Sequence, residues 1–219
     1  MTEPTDQEYE KDWKLEIIDD ALDEEDRIEL LEILKMEDGK IGNLPFQDHG
    51  LMIYWFGNGD DHPGRFQMRM LQSAASQYFD FSKCIGYEAW THMNTRPGQD
   101  IEEYLTTGEY DYDSNLNKRG GKSSDHYGWH YDKDEMHYSK TGEMKFPICS
   151  LIYYVAVAED LKGGRLMFRD HKIIPKQNRL IIFSPGIIHD VECFEGERCS
   201  LIINPWNEPP ETAKCLSND

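Results

Sequence analysis

The sequence predicts a mainly β protein with supporting helices, an α+β chain built as a jelly roll with helices packed on one sheet. Three observations predict it. Two segments of helical periodicity come early, many short strands rich in Ile, Tyr, Val and Phe follow, and turns containing Gly or Pro divide those strands.

Residues 1–12 are acidic and polar and read as a disordered tail. Residues 15–18 form a short apolar run, read as a strand. Over 23–35, Ile28, Leu30, Leu31 and Leu34 fall at helical spacing behind Asp23, a suitable N-cap, with acidic residues in the first turn where the helix dipole favours them. Residues 65–79 repeat that pattern, with Phe66, Met70, Ala74 and Tyr78 on one stripe. Gly57, Asn58, Gly59 and Pro63 mark the turn before it. Candidate strands then run over 85–94, 128–132, 147–157, 164–169, 179–183 and 198–206, separated by turns such as Gly163-Gly164, Pro185-Gly186 and Glu195-Gly196. Residues 95–125 are polar, acidic and bear glycine and tyrosine without periodicity, and a loop of that length reads as lid-like.

Residues 13–219 suit one domain with a sizeable core, at 38% hydrophobic and 12% aromatic content for the whole chain. No run approaches the roughly 18 apolar residues of a membrane helix. The acidic N-terminus has neither secretory nor transit character. Five cysteines without CxxC spacing suit reduced thiols better than a disulfide framework or a zinc site. A net charge of −19 without a basic cluster argues against nucleic acid as a partner. A cytoplasmic protein without a membrane partner is the expectation, and the acidic 95–125 stretch motivates a basic peptide or protein partner.

The chemistry begins at Trp129-His130-Tyr131-Asp132. On extended backbone His130 and Asp132 share a face and Tyr131 takes the other. His189 follows an apolar strand and a Pro-Gly turn. Two imidazoles and one carboxylate make a facial triad, a nitrogen and oxygen donor set that suits iron(II) and leaves positions open for a cosubstrate and O2. Nine residues on, Arg198 opens a strand on which Arg198, Ser200 and Ile202 share a face. A guanidinium inside a β-barrel needs an anionic partner, and the distal carboxylate of 2-oxoglutarate suits its fork geometry. Alone, each piece has a plain reading: a surface His–Asp pair, a satisfied strand-end histidine, a surface salt bridge. Together, in this order, they select the metal site.

His130-x-Asp132, His189 and Arg198-x-Ser200 together resemble the iron(II)/2-oxoglutarate-dependent dioxygenase superfamily, most closely its prolyl 4-hydroxylase-like branch. Asp132 and His189 stand a compact 57 positions apart. Residues 151–155 look like the family strand whose second tyrosine, here Tyr154, helps bind the cosubstrate. Gly163-Gly164-Arg-Leu166-Met-Phe168 looks like its hairpin, with Leu166 lining that pocket. The resemblance covers about residues 85–206.

It implies a double-stranded β-helix, one dioxygenase domain over 13–219, with iron(II) held by His130, Asp132 and His189. 2-Oxoglutarate would be held by Arg198, Tyr154, Ser200 and Leu166. The implied reaction is hydroxylation of an unactivated C–H bond, coupled to O2-driven decarboxylation of 2-oxoglutarate to succinate and CO2, with ascorbate as a reductant that keeps iron ferrous. The substrate is a peptidyl residue, prolyl by family analogy, or a free small molecule. Where nucleic-acid demethylases of the superfamily carry a second arginine, this chain has Asn204. No tyrosine matches the pocket tyrosine of animal prolyl hydroxylases; Trp90, His92 and Asn94, on one strand face, are assigned to the substrate pocket with Trp129. The alternative is a catalytically inactive β-sandwich binding module that keeps the fold.

Overall fold

Alternation decides which way the long strands face. In a computed structural model, residues 13–36, 45–48, 51–94, 129–192, 194–211 and 213 are described; the expected tail over 1–12 and the lid-like loop over 95–125 lie outside the described residues. The strands are β1 Leu15–Asp19, β2 Pro45–Asp48, β3 Leu51–Gly57, β4 Gly86–Asn94, β5 Ser150–Val157 and β6 Lys162–Gly163, then β7 Leu166–Met167, β8 Lys172–Ile173, β9 Arg179–Phe183, β10 Asp190–Val191, β11 Phe194–Glu195 and β12 Arg198–Trp206. The helices are α1 Glu24–Met36, α2 Arg65–Ala75 and α3 Glu135–Thr141.

Seven strands form one antiparallel sheet in the order β1-β9-β5-β12-β4-β3-β2. A three-stranded sheet, β10-β7-β8, lies against it, with the β11-β6 pair beside it. On one face of the large sheet, Leu151, Tyr153, Leu180, Ile182, Leu201 and Ile203 pack with Leu30 and Leu34 of α1 and Met68 and Leu71 of α2. On the other, Trp90, Ile152, Tyr154, Ile181, Phe183 and Ile202 pack with Leu166, Phe168 and Ile173 of the small sheet. Residues one apart therefore serve two cores, helices–sheet outside and sheet–sheet inside, and a one-residue slip would exchange them. This is the double-stranded β-helix architecture that the sequence predicts.

Differences from expectation have local causes. Of the expected 128–132 strand, the described residues 129–132 hold a single bridged residue, His130. Helix α2 stops at Ala75, where the Ser76 N–H turns back to Gln72 and Ser73. Its buried stripe is Met68, Leu71 and Ala75, and Phe66 faces water at 63% exposure. Strands β2 and β3 and helix α3 were not expected. Asp134 is buried; its side chain caps α3 by accepting from the His137 N–H and also accepts from the Glu211 N–H.

A register shift places the β5 partner of Cys199 at Ala156 and that of Ser200 at Tyr154, so Val155 is the extra residue of a bulge. Its carbonyl accepts from Arg27 Nη1 of α1 at 2.8 Å. The helix layer thus supplies the donor at the bulge, a device that periodicity alone does not reveal.

Asn178 holds a tight turn before β9 with φ 61°. Its amide oxygen accepts from the Leu22 N–H and the Tyr153 hydroxyl, and its amide nitrogen donates to the Leu22 carbonyl. Three buried hydrogen bonds at about 1 kcal/mol each, plus about 1 kcal/mol of left-handed backbone strain for a residue with a Cβ and no local compensation, set the expected cost of Asn178→Ala at about 4 kcal/mol. Asn178→Gly should recover only the strain. Thermal unfolding checks both, and equal Tm values for native and Asn178→Ala would refute the assignment.

His62 carries the expected acid sensitivity. Its ring stacks on Phe56 at 3.8 Å, Nδ1 faces the Pro63 carbonyl, and Nε2 is paired with the Tyr87 hydroxyl. A carbonyl only accepts, so the proton sits on Nδ1 and Nε2 accepts from Tyr87. Burial, the largest cause, holds the His62 pKa below its ordinary value. The unfolded chain then binds more protons, so this contribution is complete above about pH 6.5 and is lost as pH falls through that value toward the folded pKa. His62→Gln should flatten the acid limb of urea-measured stability; an unchanged slope below pH 6.5 would refute this.

Candidate metal centre

Backbone pairing builds the site before any side chain does. His130 and His189 exchange both hydrogen bonds, His130 N to His189 O at 2.9 Å and His189 N to His130 O at 3.0 Å. Directly opposed residues of an antiparallel bridge put their side chains on one side. The two imidazoles accordingly lie 4.4 Å apart, ring centre to ring centre. Asp132, two residues on, returns to the same face. His130 Nε2 is 4.0 Å from Asp132 Oδ1 and His189 Nε2 is 3.8 Å from Asp132 Oδ2. One donor atom from each of the three lies within 4.8 Å of the others. Tyr131 takes the opposite side, lining a separate cleft of about 150 Å³ with Trp13, Phe168, His171 and Ile187.

The donors are preset. His189 Nδ1 is 3.0 Å from the Ile187 carbonyl, which can only accept, so Nδ1 carries the proton and the Nε2 lone pair points at the carboxylate. Phe183 meets the same ring edge-on at 4.9 Å and holds its plane. The Asp132 side chain is 7% exposed, and its Oδ2 is buried with no hydrogen-bond partner among the described residues. A buried carboxylate oxygen in that position is costly unless a cation completes it. Two imidazole nitrogens and an oxygen, with no thiolate among them, fit iron(II). Cys84, Cys149 and Cys199 are free thiols elsewhere in the fold.

Arg198 is 7% exposed at the start of β12. Its Nη1 donates to the Gly164 carbonyl at 2.9 Å, and its guanidinium lies 4.3 Å from the Phe194 ring centre and 5.9 Å from that of Tyr154. Ser200 sits opposite Tyr154 in the β5–β12 register, and Ser200, Tyr154 and Leu166 are all buried. Burial raises the Tyr154 hydroxyl pKa, against the smaller opposing pull of Arg198, so the phenol stays a donor. Arg198, Ser200 and Tyr154 thus stand at one end of the inner face, and Leu166 of the small sheet packs in the same core as Tyr154.

Trp90 is buried on that face beside Ile202, and Trp129 is buried next to His130. His92 and Asn94 occupy β4 positions opposite Ser200 and Arg198, but their side chains lie outside the described residues. Sequence reasoning missed Phe194, whose ring stacks on Arg198. Gly164 was read only as part of the hairpin: at φ 73° it sits where a Cβ would come within 3.2 Å of Phe194. The Gly163-Gly164 pair was a signal, since one glycine makes a turn while the second permits the close approach.

A jelly roll with two histidines and one carboxylate converging beside a buried arginine carries the donor set of a facial-triad metal site. Residues 115–206 match the family model described as the 2OG-Fe(II) oxygenase superfamily. The matched segment holds the three candidate metal ligands, Tyr154 and Arg198, and the family's description names iron(II) and 2-oxoglutarate. No curated protein sequence matches the chain. Among solved structures, a Pseudomonas putida prolyl-4-hydroxylase is similar at 18% identity and TM-score 0.54, over 90% of this chain and 93% of that one. A Trichoplax adhaerens prolyl hydroxylase, solved with a hypoxia inducible factor oxygen degradation domain peptide fragment, is similar at 15% identity and TM-score 0.50, over 94% and 87%. A Phytophthora capsici prolyl 4-hydroxylase is similar at 15% identity and TM-score 0.51, over 91% and 60%. These are likenesses of fold. Among the described residues no helix is long and apolar enough to cross a membrane.

Proposed function

We propose that this chain is an iron(II)- and 2-oxoglutarate-dependent hydroxylase acting on an unactivated C–H bond, with 2-oxoglutarate decarboxylated to succinate and CO2. The observation that carries the reading is the approach of His130, Asp132 and His189 donor atoms to within 4.8 Å of one another, with Arg198 buried on the same inner side of the fold.

Each residue has a task. His130 Nε2, His189 Nε2 and an Asp132 oxygen would hold the metal from one side. Arg198 would grip the distal carboxylate of the cosubstrate, with Tyr154 and Ser200 donating hydroxyl hydrogen bonds to it and Leu166 closing the pocket wall. Bound iron supplies the activation of O2. The apolar inner face, Trp90, Ile152, Ile181 and Ile202, excludes water so that the reactants are held together in a dry site. Trp90, His92, Asn94 and Trp129 are assigned to substrate contact, and residues 13–219 to a single catalytic domain in the cytoplasm.

The substrate is a peptidyl residue, prolyl by analogy with the fold neighbours, or a free small molecule. A non-catalytic module of the same fold is the competing reading, and the complete donor set speaks against it. The test is succinate formation from 2-oxoglutarate in the presence of iron(II), O2 and ascorbate, together with anaerobic iron loading. Failure of the chain both to bind iron and to turn over 2-oxoglutarate would overturn the reading.

A further inference from the structure

The inner face of the large sheet is polar at both ends. At one end stand Arg198, Ser200 and Tyr154, the cationic end assigned to the cosubstrate. An apolar row follows: Trp90, Ile202, Ile152 and Ile181 are neighbours across β4, β12, β5 and β9. One step further, Glu88 pairs with Asn204 across β4–β12, and Ser150 pairs with Phe183 across β5–β9. Ser150 and Asn204 each adjoin the Leu151–Ile203 pair, so they lie at the same level of the sheet. Ala89, Leu151 and Ile203 point into the helix-side core, so Glu88, Ser150 and Asn204 point the other way, inward. Phe183 in that row is the ring that meets His189 at 4.9 Å. The metal centre therefore adjoins this second polar end on its β9 side, where Phe183 is paired with Ser150.

Its chemistry is the complement of the first. Glu88, Asn204 and Ser150 are 8%, 2% and 0% exposed. Glu88 Oε2 accepts from the Trp206 indole N–H at 2.8 Å. Asn204 Oδ1 and Ser150 Oγ are buried with no hydrogen-bond partner among the described residues. An amide oxygen and a hydroxyl left so, beside a buried carboxylate, are expensive unless a donor arrives to meet them. A chain of net charge −19 draws cations toward such a place.

Resting on the reading of the site as a hydroxylase centre, we propose that Glu88, Asn204 and Ser150 are its substrate-recognition residues, and that they select a substrate bearing a protonated nitrogen, an ammonium or guanidinium group. The positive charge meets Glu88, and its N–H groups meet the oxygens of Asn204 and Ser150. This assigns a specificity role to three residues on strands already fixed by the fold, and it orients the substrate from the side opposite to Arg198.

The test uses matched probes: arginine against citrulline and lysine against norleucine, each free and within blocked tetrapeptides. Binding is measured by anaerobic calorimetry on the full chain loaded with manganese(II) and 2-oxoglutarate, and succinate release is measured with iron(II). The expected result is that a cationic probe, in the free or the peptide arm, binds about tenfold or more tighter than its neutral partner. Glu88→Gln, which keeps an acceptor for Trp206, should erase that preference. Asn204→Asp should tighten the cationic probe, a gain that misfolding does not produce. The free and peptide arms separate the two sources of the cation. Neutral probes binding as well as cationic ones, no cationic probe binding, or a preference that survives Glu88→Gln would each overturn the proposal. If manganese and 2-oxoglutarate bind while no charge preference emerges, only this inference falls; if neither binds, the hydroxylase reading itself falls.

Discussion

His189→Ala is expected to abolish succinate formation and to weaken metal binding by ~100-fold or more, beyond the ten- to hundredfold that loss of a mere supporting partner brings. The ring supplies a donor atom 3.8 Å from Asp132, and its tautomer is set by the Ile187 carbonyl. Alanine also leaves a hole beside Phe183, so the metal-free protein should lose about 2–4 kcal/mol by analogy with other large-to-small changes in a core. Asp132→Asn separates the two effects, because it keeps the volume and removes the charge. In the native protein, iron(II) or manganese(II) at a hundred times its Kd should stabilise the fold by about 2.7 kcal/mol. In Asp132→Asn that metal-dependent gain should vanish while the metal-free Tm stays near native or rises, since a buried carboxylate oxygen no longer lacks a partner. Equal metal-dependent shifts in native and Asp132→Asn protein would sink the assignment of the triad.

The convergence of the three candidate metal ligands was legible because each sits on backbone whose geometry a local pattern reports. The alternation at His130-Tyr131-Asp132 survives although the segment forms only one bridge, since extended backbone needs no ladder to alternate. Strands β9 and β12 were read to the residue, being dense in β-branched residues and bounded by turns. Helix α2 was overextended because its pattern of apolar residues continues past Ala75 into turns that still pack on the helix-side core. Contacts that join distant segments left no local trace. Phe194 over Arg198, Arg27 reaching the β5 bulge, Asp134 tying α3 to Glu211 and the Glu88–Asn204 pairing arise from register, which a single chain shows only once it is folded. Asn204 was noted only as a missing arginine; its buried amide oxygen became visible with the sheet.

Arg198→Leu is expected to raise the Kd and KM for 2-oxoglutarate by ~100-fold while leaving the fold intact. A guanidinium–carboxylate pair forms two charge-assisted hydrogen bonds, each worth about 1.5–3 kcal/mol, and the loss of even the lower sum, about 3 kcal/mol, corresponds to that factor. Leucine keeps much of the apolar contact with Phe194 and removes a charge whose burial is itself costly, so thermal stability without cosubstrate should change little. Arg198→Lys tests geometry against charge. The ammonium retains the charge but gives up the planar fork and its stacking 4.3 Å from the Phe194 ring, so affinity should fall by about tenfold, between native and leucine. Gly164→Ala approaches the same pocket from the backbone side: at φ 73° the added Cβ strains the turn and presses on Phe194, so 2-oxoglutarate affinity should fall although no ligand contact is removed. Titration of 2-oxoglutarate into the manganese(II)-loaded proteins orders the series as native, lysine, leucine. Unchanged affinity in Arg198→Leu would place the cosubstrate carboxylate elsewhere and make the buried guanidinium, with its bond to the Gly164 carbonyl, a structural group.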